Sequence, residues 1–545
     1  MLLLFDRKSI YKHFYSTLNN YREVMKKRVV CIDIIKELIK SECLDHNEIN
    51  KIIKRQCKKH DLKEMPTKVE ILSFCNPEER KKLRRFLITK PSRTISGVSV
   101  ITVVAKPASC PGTCIYCPKG ANAPQSYTGM EPAVQRGIRN DYDPFLQTKD
   151  RLNQYKITGH PSDKVEVIIL GGTFLALDND YQEWFVKRIF DALNEKESES
   201  LEKAQSLNET VKHRCVGLCI ESRADYSFEE HINQMLRLGT TRVEIGVQSI
   251  YLEVLKRVRR GHTVEDAIRA TQLVKDSCLK CTYHIMPGLF VNFEKDLEQF
   301  KILFNDSRFK PDSLKIYPTL VIKGTKLYEL WKKGEYKPLS TEEGIKLISK
   351  AMKYIPKYCR VIRVQRDIPS NKIVAGIKSS NLRELVEREC KKDGIIIQEI
   401  RYREVGHKFE KGIIPNLDSI KLFRFDYNAS KGKEIFLSFE DVENDILIGF
   451  LRLRIPHKPF RPEIDEKTGL IRELHVYGPT VPIGQKIRKA WQHKGFGRRL
   501  LKEAERIAKN EFDMKKIIIV SGVGVKEYYK KFGYRKKGPY VSKIL

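Results

Sequence analysis

No run of apolar residues in this 545-residue chain is long enough to span a bilayer. The opening MLLLFDRKSIYKHF returns to charge after a handful of apolar residues, which makes it a poor secretory signal. No lipidation signal is evident. The expectation is a soluble, cytoplasmic protein with no membrane attachment. Acidic residues are scarce beside basic ones: 69 Asp and Glu against 102 Lys and Arg leave a net charge of +33. A surface this basic attracts polyanions, nucleic acid foremost; adaptation of a whole proteome to heat or salt is the other source of such a composition. Low-complexity linkers are missing too, as is any internal repeat beyond an alternation of strands and helices. Domains must therefore be read from pattern, and the length allows two or three of them.

Periodicity divides the chain into three. Residues 1–88 are basic and, from residue 22, helical: IIKELIK and EERKKLRRFL place apolar residues at helical spacing. Residues 89–389 alternate strands with amphipathic helices. VSVITVVA, VEVIILGG (165–172), VGLCIES, RVEIGVQS, CTYHIMPG and SLKIYPT are the strands, and YQEWFVKRIFDALN is typical of the helices. At least six such units predict a parallel sheet and a full or partial barrel, with chemistry at the carboxyl ends of its strands. Residues 390–545 read as α+β. KLFRFDYN, EIFLSFED, DILIGFLRLRIP and IRELHVYG alternate as antiparallel strands, a helix is expected over 491–510, and KIIIVSGVG, KEYYKKFGY and YVSKIL close the chain.

Of 13 cysteines, most, such as Cys31, Cys278 and Cys359, read as reduced core thiols. Three crowd into SCPGTCIYCPKG (109–120): Cys110, Cys114 and Cys117. A zinc site asks for four ligands, usually as two pairs, and no fourth stands nearby. A 4Fe–4S cluster also usually takes four thiolates; three would leave one iron open to an exchangeable ligand.

The Cys110-x3-Cys114-x2-Cys117 spacing, with an aromatic residue at Tyr116 and a place directly after the first strand, resembles the radical S-adenosylmethionine family. The resemblance implies a 4Fe–4S cluster on the three cysteines and S-adenosylmethionine chelated at the open iron. One electron would then split the sulfonium and release a 5′-deoxyadenosyl radical. ILGGTF (169–174) resembles that family's glycine motif, with Gly172 and Thr173 where backbone takes the methionine amino group. The plain reading of Gly171 and Gly172 is a strand-to-helix turn.

Gln492-x-x-Gly495-x-Gly497 opens a helix after a strand, where glycines admit a ligand to the backbone and free N–H groups bind phosphate. With ELHVYG before it and VSGVGVKEYYKKFGY after it, this order resembles the GNAT acetyltransferases. That implies acetyl-CoA as cosubstrate. Its pyrophosphate would lie on Gln492, Gly495, Phe496, Gly497 and Arg498, and its pantetheine arm along Glu473, Leu474, His475 and Val476. Tyr528 and Tyr529 stand where the family has a tyrosine acid near the acetyl sulfur. The plain readings are a core or edge-strand histidine at His475 and packing tyrosines on an amphipathic helix.

Both halves in one chain, together with QSYTGMEPAVQRGIRNDYDPFLQ (125–147), RVQRDIP (363–369), REVG (403–406) and YYKKFGY, resemble the Elongator catalytic-subunit family in its archaeal stand-alone form, over about residues 25–545. The implied fold is a partial TIM-like radical barrel followed by an α+β GNAT domain, behind a basic helical N-terminal region. The implied activity is a tRNA wobble-uridine carboxymethyl synthase, an acyltransferase in which an activated acetyl-CoA methyl adds to carbon 5 of uracil before the thioester is hydrolysed. The resemblance also makes Lys164 an acetyl-CoA contact, where the residues alone suggest a solvated lysine. An anticodon arm then accounts for the positive charge. Lys81, Lys82, Arg84 and Arg85, in the stretch from Arg80 to Arg93, are candidate tRNA contacts, with a solvated helix face as the bland alternative.

Two departures from the family stand out. Gln398 and Tyr402 occupy IIIQEIRYREVG (395–406), where family members carry cysteines, so zinc is not expected; Phe290 in MPGLF replaces a usual proline. The first 20 or so residues have no counterpart. A rival reading is a protein lysine acetyltransferase with a structural cluster, against which the charge of +33 argues, since it repels a basic substrate tail. An RNA-binding module with decayed chemistry is opposed by the intact cysteine triad and Q-x-x-G-x-G loop. The sequence leaves open which tRNAs are used, the electron donor, the hydrolytic base, whether two copies pair as a homodimer, and any accessory subunits.

Overall fold

The computed structural model describes residues 25–41, 46–62, 64–87, 94–478 and 495–545. It divides into two compact units, Met1–Arg93 with Arg151–Ser162, and Thr94–Asp150 with Asp163–Leu545. In the first unit, helices over 25–40, His46–Lys59, Lys68–Phe74 and Pro77–Leu87 bury Val30, Ile34, Leu38, Ile52, Leu72 and Leu83 in one core. Thr67 opens the third helix with a reciprocal hydrogen-bonded box to Glu70. No helix among the described residues is long and apolar enough to cross a membrane.

The second unit holds two seven-stranded sheets. The first comprises β1 (Ser99–Val104), β2 (Lys164–Leu170), β3 (Arg214–Ser222), β4 (Arg242–Gln248), β5 (Lys280–Ile285) and β6 (Ser313–Ile316). The short β7 (Val321–Ile322) leaves the sheet, and β8 (Arg360–Val364) completes it. All of its pairings are parallel and run in chain order without closing, so it is a curled half-barrel. β7 instead pairs with β9 (Ile373–Ala375). On β2, Val165, Val167 and Ile169 are buried on the outer face, where crossover helices pack. The alternate residues Lys164, Glu166, Ile168 and Leu170 are half-buried on the concave face. The helix Leu382–Lys392 runs across residue 389, and the second sheet begins only at Ile420.

That second sheet comprises β10 (Ile420–Ala429), β11 (Gly432–Asp441), β12 (Ile446–Ile455), β13 (Thr468–Val476), β14 (Lys516–Ile519), β15 (Arg535–Lys537) and β16 (Tyr540–Ile544), in the order β10-β11-β12-β13-β14-β16-β15. It is antiparallel except between β13 and β14. The helix Phe496–Phe512 packs against β12 and β13 through the stripe Leu500, Leu501, Ala504, Ile507 and Ala508.

The two sheets are joined by charge. Arg472 on β13 sends Nη1 and Nη2 to the Asp312 carboxylate, just before β6, at 2.7 and 2.6 Å. Nη2 also reaches Glu434 on β11 at 2.8 Å, and Nη1 reaches the Leu279 carbonyl at 3.0 Å. Arg454 on β12 bridges Glu434 (3.0 Å) and Asp276 (2.7 Å), the last residue of a half-barrel helix. Lys275 Nζ lies 3.5 Å from Asp312 and donates to the Lys310 carbonyl. Arg454, Lys275 and Asp276 are fully buried, and Arg472, Asp312 and Glu434 are 1% exposed. Burial alone would push the Asp312 carboxyl up, but Arg472 and Lys275 hold it well below the usual range. Small residues complete the seam: a Cβ on Gly522 would stand 2.2 Å from the Val216 carbonyl oxygen.

Replacing one partner of such a lattice leaves uncompensated buried charge, which costs about 3–5 kcal/mol. Asp312→Asn is expected to destabilise the full chain by that order, read as a fall in its thermal unfolding midpoint. An unchanged midpoint would mean that the lattice is not what holds the two sheets together.

Candidate active site

The chain leaving the carboxyl end of β1 carries Cys110, Cys114 and Cys117, all half-buried. It is tied down by Ile115 N–H to the Val258 carbonyl (3.1 Å) and by Leu327 N–H to the Ile115 carbonyl (2.9 Å). Tyr116 is buried against Val254, Val258 and Met286. Each sulfur has a polar neighbour of its own: Thr173 Oγ1 at 3.6 Å from Cys110, Arg260 Nη1 at 3.6 Å from Cys114, and Ser126 Oγ at 2.9 Å from Cys117. Burial pushes the Cys117 thiol up. Gly171 and Gly172, both with positive φ, turn the chain out of β2 at this same end, and a Cβ on Gly171 would meet Ala105 Cβ at 2.8 Å. Three soft sulfur donors ringed by hydroxyls and a guanidinium fit an anionic iron–sulfur cluster that keeps one iron free of protein ligands.

At the opposite, amino end of the half-barrel lies a cavity of about 650 Å³. The barrel side contributes Ser96, Lys164, Arg214, Thr241 and Lys280, all at or before strand starts; the second sheet contributes Glu473–Val476, Gly495, Gly497, Arg498, Tyr528 and Tyr529. The opening has a local cause. β13 pairs with β14 only over Thr468–Ile471, so the edge of Arg472–Val476 is splayed free. Gly495, at φ +82°, starts the helix Phe496–Phe512, whose first N–H groups suit a phosphate. Gly497 leaves room for the Tyr528 hydroxyl, which would stand 2.8 Å from a Cβ there. Tyr529 is buried and packs edge-on against Tyr528, and burial pushes its phenol far up. Burial pushes the Glu473 carboxyl up, but Lys280 (3.3 Å) and Arg452 (2.9 Å) outweigh it and hold it at about 2. His475 is kept low by burial, its Nε2 lies 3.3 Å from the Ser96 carbonyl, and its ring packs on Tyr477. Burial also lowers Lys164.

Between the two ends the concave face is charged. Arg242 pairs with Glu166 (3.0 Å) and Glu244 (3.3 Å), and His284 Nε2 lies 3.0 Å from Glu244. Lys315 contacts Glu244 and lies 3.0 Å from Glu221, which accepts the Tyr127 hydroxyl at 3.0 Å. Glu221, Glu244 and His284 are close enough together to hold a metal ion, but the Lys315 ammonium already lies between the two carboxylates. The sequence reading passed over these residues. Their signal was a charge inside otherwise apolar parallel strands, as in RVEIGVQ and CTYHI.

Gln492 lies outside the described residues, as do the side chains of Lys81, Arg84 and Arg85; Lys82 is exposed on the helix Pro77–Leu87. Gln398 is exposed, and Tyr402 lies beneath Lys408 and Lys411. The segment around them is held by carboxylates. Glu399 accepts the N–H groups of Val361, Arg401 and Tyr402, and Glu404 takes Ser96 Oγ at 2.7 Å and Arg360. Phe290 has φ +59°, which the ring of a proline forbids, and its face carries the Arg257 guanidinium at 4.0 Å.

Four family models match the chain: the ELP3 N-terminal domain over residues 27–95, the Radical SAM superfamily over 107–301, the Radical SAM C-terminal domain over 311–392, and the Acetyltransferase (GNAT) family over 408–534. A tRNA uridine(34) acetyltransferase of Methanocaldococcus infernus is 54% identical over 97% of this chain and 98% of its own. That of Methanocaldococcus jannaschii is 54% identical over the whole of both. Elongator complex protein 3 of Homo sapiens is 43% identical over 94% of this chain and 96% of its own. The solved structure of M. infernus Elp3 lacking its first 46 residues superposes with a TM-score of 0.75, covering 83% of this chain and 100% of that one.

Gly497→Glu would drive a carboxylate against Tyr528 and into the cavity where a pyrophosphate would sit. Coenzyme A affinity, measured by calorimetry, is expected to fall by roughly two orders of magnitude, about 2.7 kcal/mol, with the cysteine loop untouched. Unaltered affinity would place the coenzyme elsewhere.

Proposed function

We infer the function from the family to which this chain belongs, the tRNA uridine(34) acetyltransferases and Elongator complex protein 3 chains, and propose that it builds a carboxymethyl group on carbon 5 of the wobble uridine of tRNA. The observation that carries this reading is the shared half-barrel, with three cysteines at the carboxyl ends of its strands and the splayed strand, helix start and lysines of an acyl-coenzyme site at the amino ends. When bound, the 4Fe–4S cluster and S-adenosylmethionine supply the one-electron chemistry that activates the acetyl methyl. Everything else falls to the chain's own groups.

In this reading, Cys110, Cys114 and Cys117 hold the cluster, and the Gly172–Thr173 turn lies against S-adenosylmethionine. Gly495–Arg498, with Gln492, cradle the pyrophosphate. The free edge of Glu473–Val476 pairs with the pantetheine arm, and Lys164 faces the coenzyme from the barrel side. Glu473 stays ionised and Tyr529 stays a phenol at neutral pH, so Tyr529 and Tyr528 are proton donors at the thioester rather than bases. Strands of six or seven residues at about 3.3 Å per residue separate the two ends by about 20 Å. The polar concave face between them is where acetyl group and uridine have to meet. tRNA binds through the basic face of the helix Pro77–Leu87, with Lys81, Lys82, Arg84 and Arg85 on phosphates. The protein works in the cytoplasm, where its tRNA is.

Three measurements test the reading. Purified without oxygen, the chain is expected to be brown with about four irons, and Cys114→Ala is expected to lose both the colour and S-adenosylmethionine cleavage; a colourless protein with stoichiometric zinc would overturn the cluster. Changing Lys81, Lys82, Arg84 and Arg85 together to Gln is expected to weaken tRNA binding and to flatten its salt dependence by roughly 0.7–0.9 log units per lost contact. An unchanged slope would move the RNA surface off this helix. Nucleoside analysis of tRNA incubated with the holoenzyme, S-adenosylmethionine and acetyl-CoA reads the product directly.

A further inference from the structure

One buried cation beside the cysteines has no acid among the described residues to balance it. Arg260 lies in the loop between the helices Leu252–Arg257 and Val264–Asp276 and is only 8% exposed. Its guanidinium is fixed on three sides: Nη2 donates to the Gly246 carbonyl at 2.7 Å, Nε to His262 Nε2 at 3.0 Å, and Nη1 to Cys114 Sγ at 3.6 Å. The seat is built for it, since a Cβ on Gly246, inside β4, would stand 2.5 Å from Nη2. No carboxylate oxygen of the described residues comes within ion-pair distance of it. The neighbouring Asp225 is engaged by Arg223, at 2.9 and 2.8 Å.

An arginine keeps its charge in a protein, and a buried charge without a partner costs several kcal/mol. His262 offers only a neutral ring and Gly246 only a carbonyl dipole, so the sole anion within reach is whatever the cysteines become when they bind metal. Three thiolates on an iron–sulfur core carry net negative charge, and one added electron deepens it. A fixed cation donating to a ligand sulfur favours the more negative state, because hydrogen bonds to sulfur and local net charge set cluster potentials.

We propose that Arg260 is the built-in counter-ion of the cluster held by Cys110, Cys114 and Cys117, and that its N–H···S contact to Cys114 raises the reduction potential of that cluster. Arg260 is a positioning and tuning residue: it touches a ligand sulfur and no reacting carbon. The electron comes from an external reductant, and no protein bond forms or breaks. This inference rests on the cluster proposed above, and the test separates the two. The full chain and its Arg260→Met and Arg260→Lys variants are purified anaerobically, their iron and sulfide counted, and the cluster titrated with dithionite by electron paramagnetic resonance. With the cluster intact, Arg260→Met is expected to lower the reduced-to-oxidised ratio at a given potential at least tenfold, a midpoint shift of 59 mV for one electron. Arg260→Lys is expected to fall between it and the native chain. An unshifted midpoint in a cluster-replete Arg260→Met variant overturns the inference. A native chain without an iron–sulfur cluster overturns the reading beneath it. If Arg260→Met loses its cluster, the native chain labelled with [15N]arginine decides. A nitrogen hyperfine coupling to the reduced cluster that vanishes in Arg260→Lys supports the contact; its absence in the native chain, or its persistence in the variant, sinks it.

Discussion

The arrangement of this molecule depends on the Arg472–Asp312–Glu434 lattice. Ion pairs this deeply buried contribute little net stability, because desolvation offsets their attraction, but they are exacting about geometry. Here the acids Asp276 and Asp312 come from the amino-end side of the half-barrel, and the arginines Arg454 and Arg472 come from the face of the second sheet. A hydrophobic seam could slide or rotate. A bidentate guanidinium whose remaining N–H groups are also spoken for cannot shift by even an ångström without leaving a charge unpaired. The lattice therefore fixes which end of the half-barrel faces the splayed strand.

That register passes directly to the cavity. Arg472 is the extra residue of a bulge in β13, since Arg452 of β12 pairs with Glu473 and Leu453 with Ile471, and both Arg472 and Glu473 reach the half-barrel. Arg472 enters the lattice through Asp312, and Glu473 beside it is met by Lys280 and Arg452. That bulge, together with the short pairing of β13 to β14, is what frees the edge of Glu473–Val476 beyond the point where the lattice grips. One strand thus serves as clamp and then as a free edge beside the cavity.

Much of this was legible in the sequence, for particular reasons. The period of strands and helices, the cysteine spacing, the Gly171–Gly172 turn and the Gly495–Gly497 helix start are local features, set by residues close together in the chain, and they stand where that reading put them. What pattern could not give was anything depending on which residues meet across hundreds of positions. Asp312 and Arg472 are 160 residues apart, and nothing near either marks a partner. The charges on the concave face were passed over because a strand such as RVEIGVQ reads as buried and apolar with a polar residue or two to be tolerated. They form a network only when five strands, β2 to β6, are brought side by side. Phe290 shows the converse. A missing proline looked like an unexplained substitution until its backbone, at φ +59°, placed it in a conformation proline cannot adopt.

The distribution of charge ties these levels together. With a net charge of +33 spread along the chain, unpaired basic residues belong at the surface, available to a polyanion. Inside the second unit the reverse holds. Between the sheets and along the concave face nearly every buried Lys or Arg is matched by a carboxylate, and the cations left over are few enough to be informative. Arg223 retains one buried nitrogen without a partner although Asp225 takes the others, and Arg260 has no acid within ion-pair distance among the described residues. Both lie against the cysteine loop: Nη1 of Arg223 would stand 2.0 Å from a Cβ on Gly112, and Nη1 of Arg260 reaches Cys114. Among the described residues the interior is neutralised thoroughly, and the one guanidinium nitrogen of Arg223 left without a partner and the unmatched charge of Arg260 both fall at the cysteine loop.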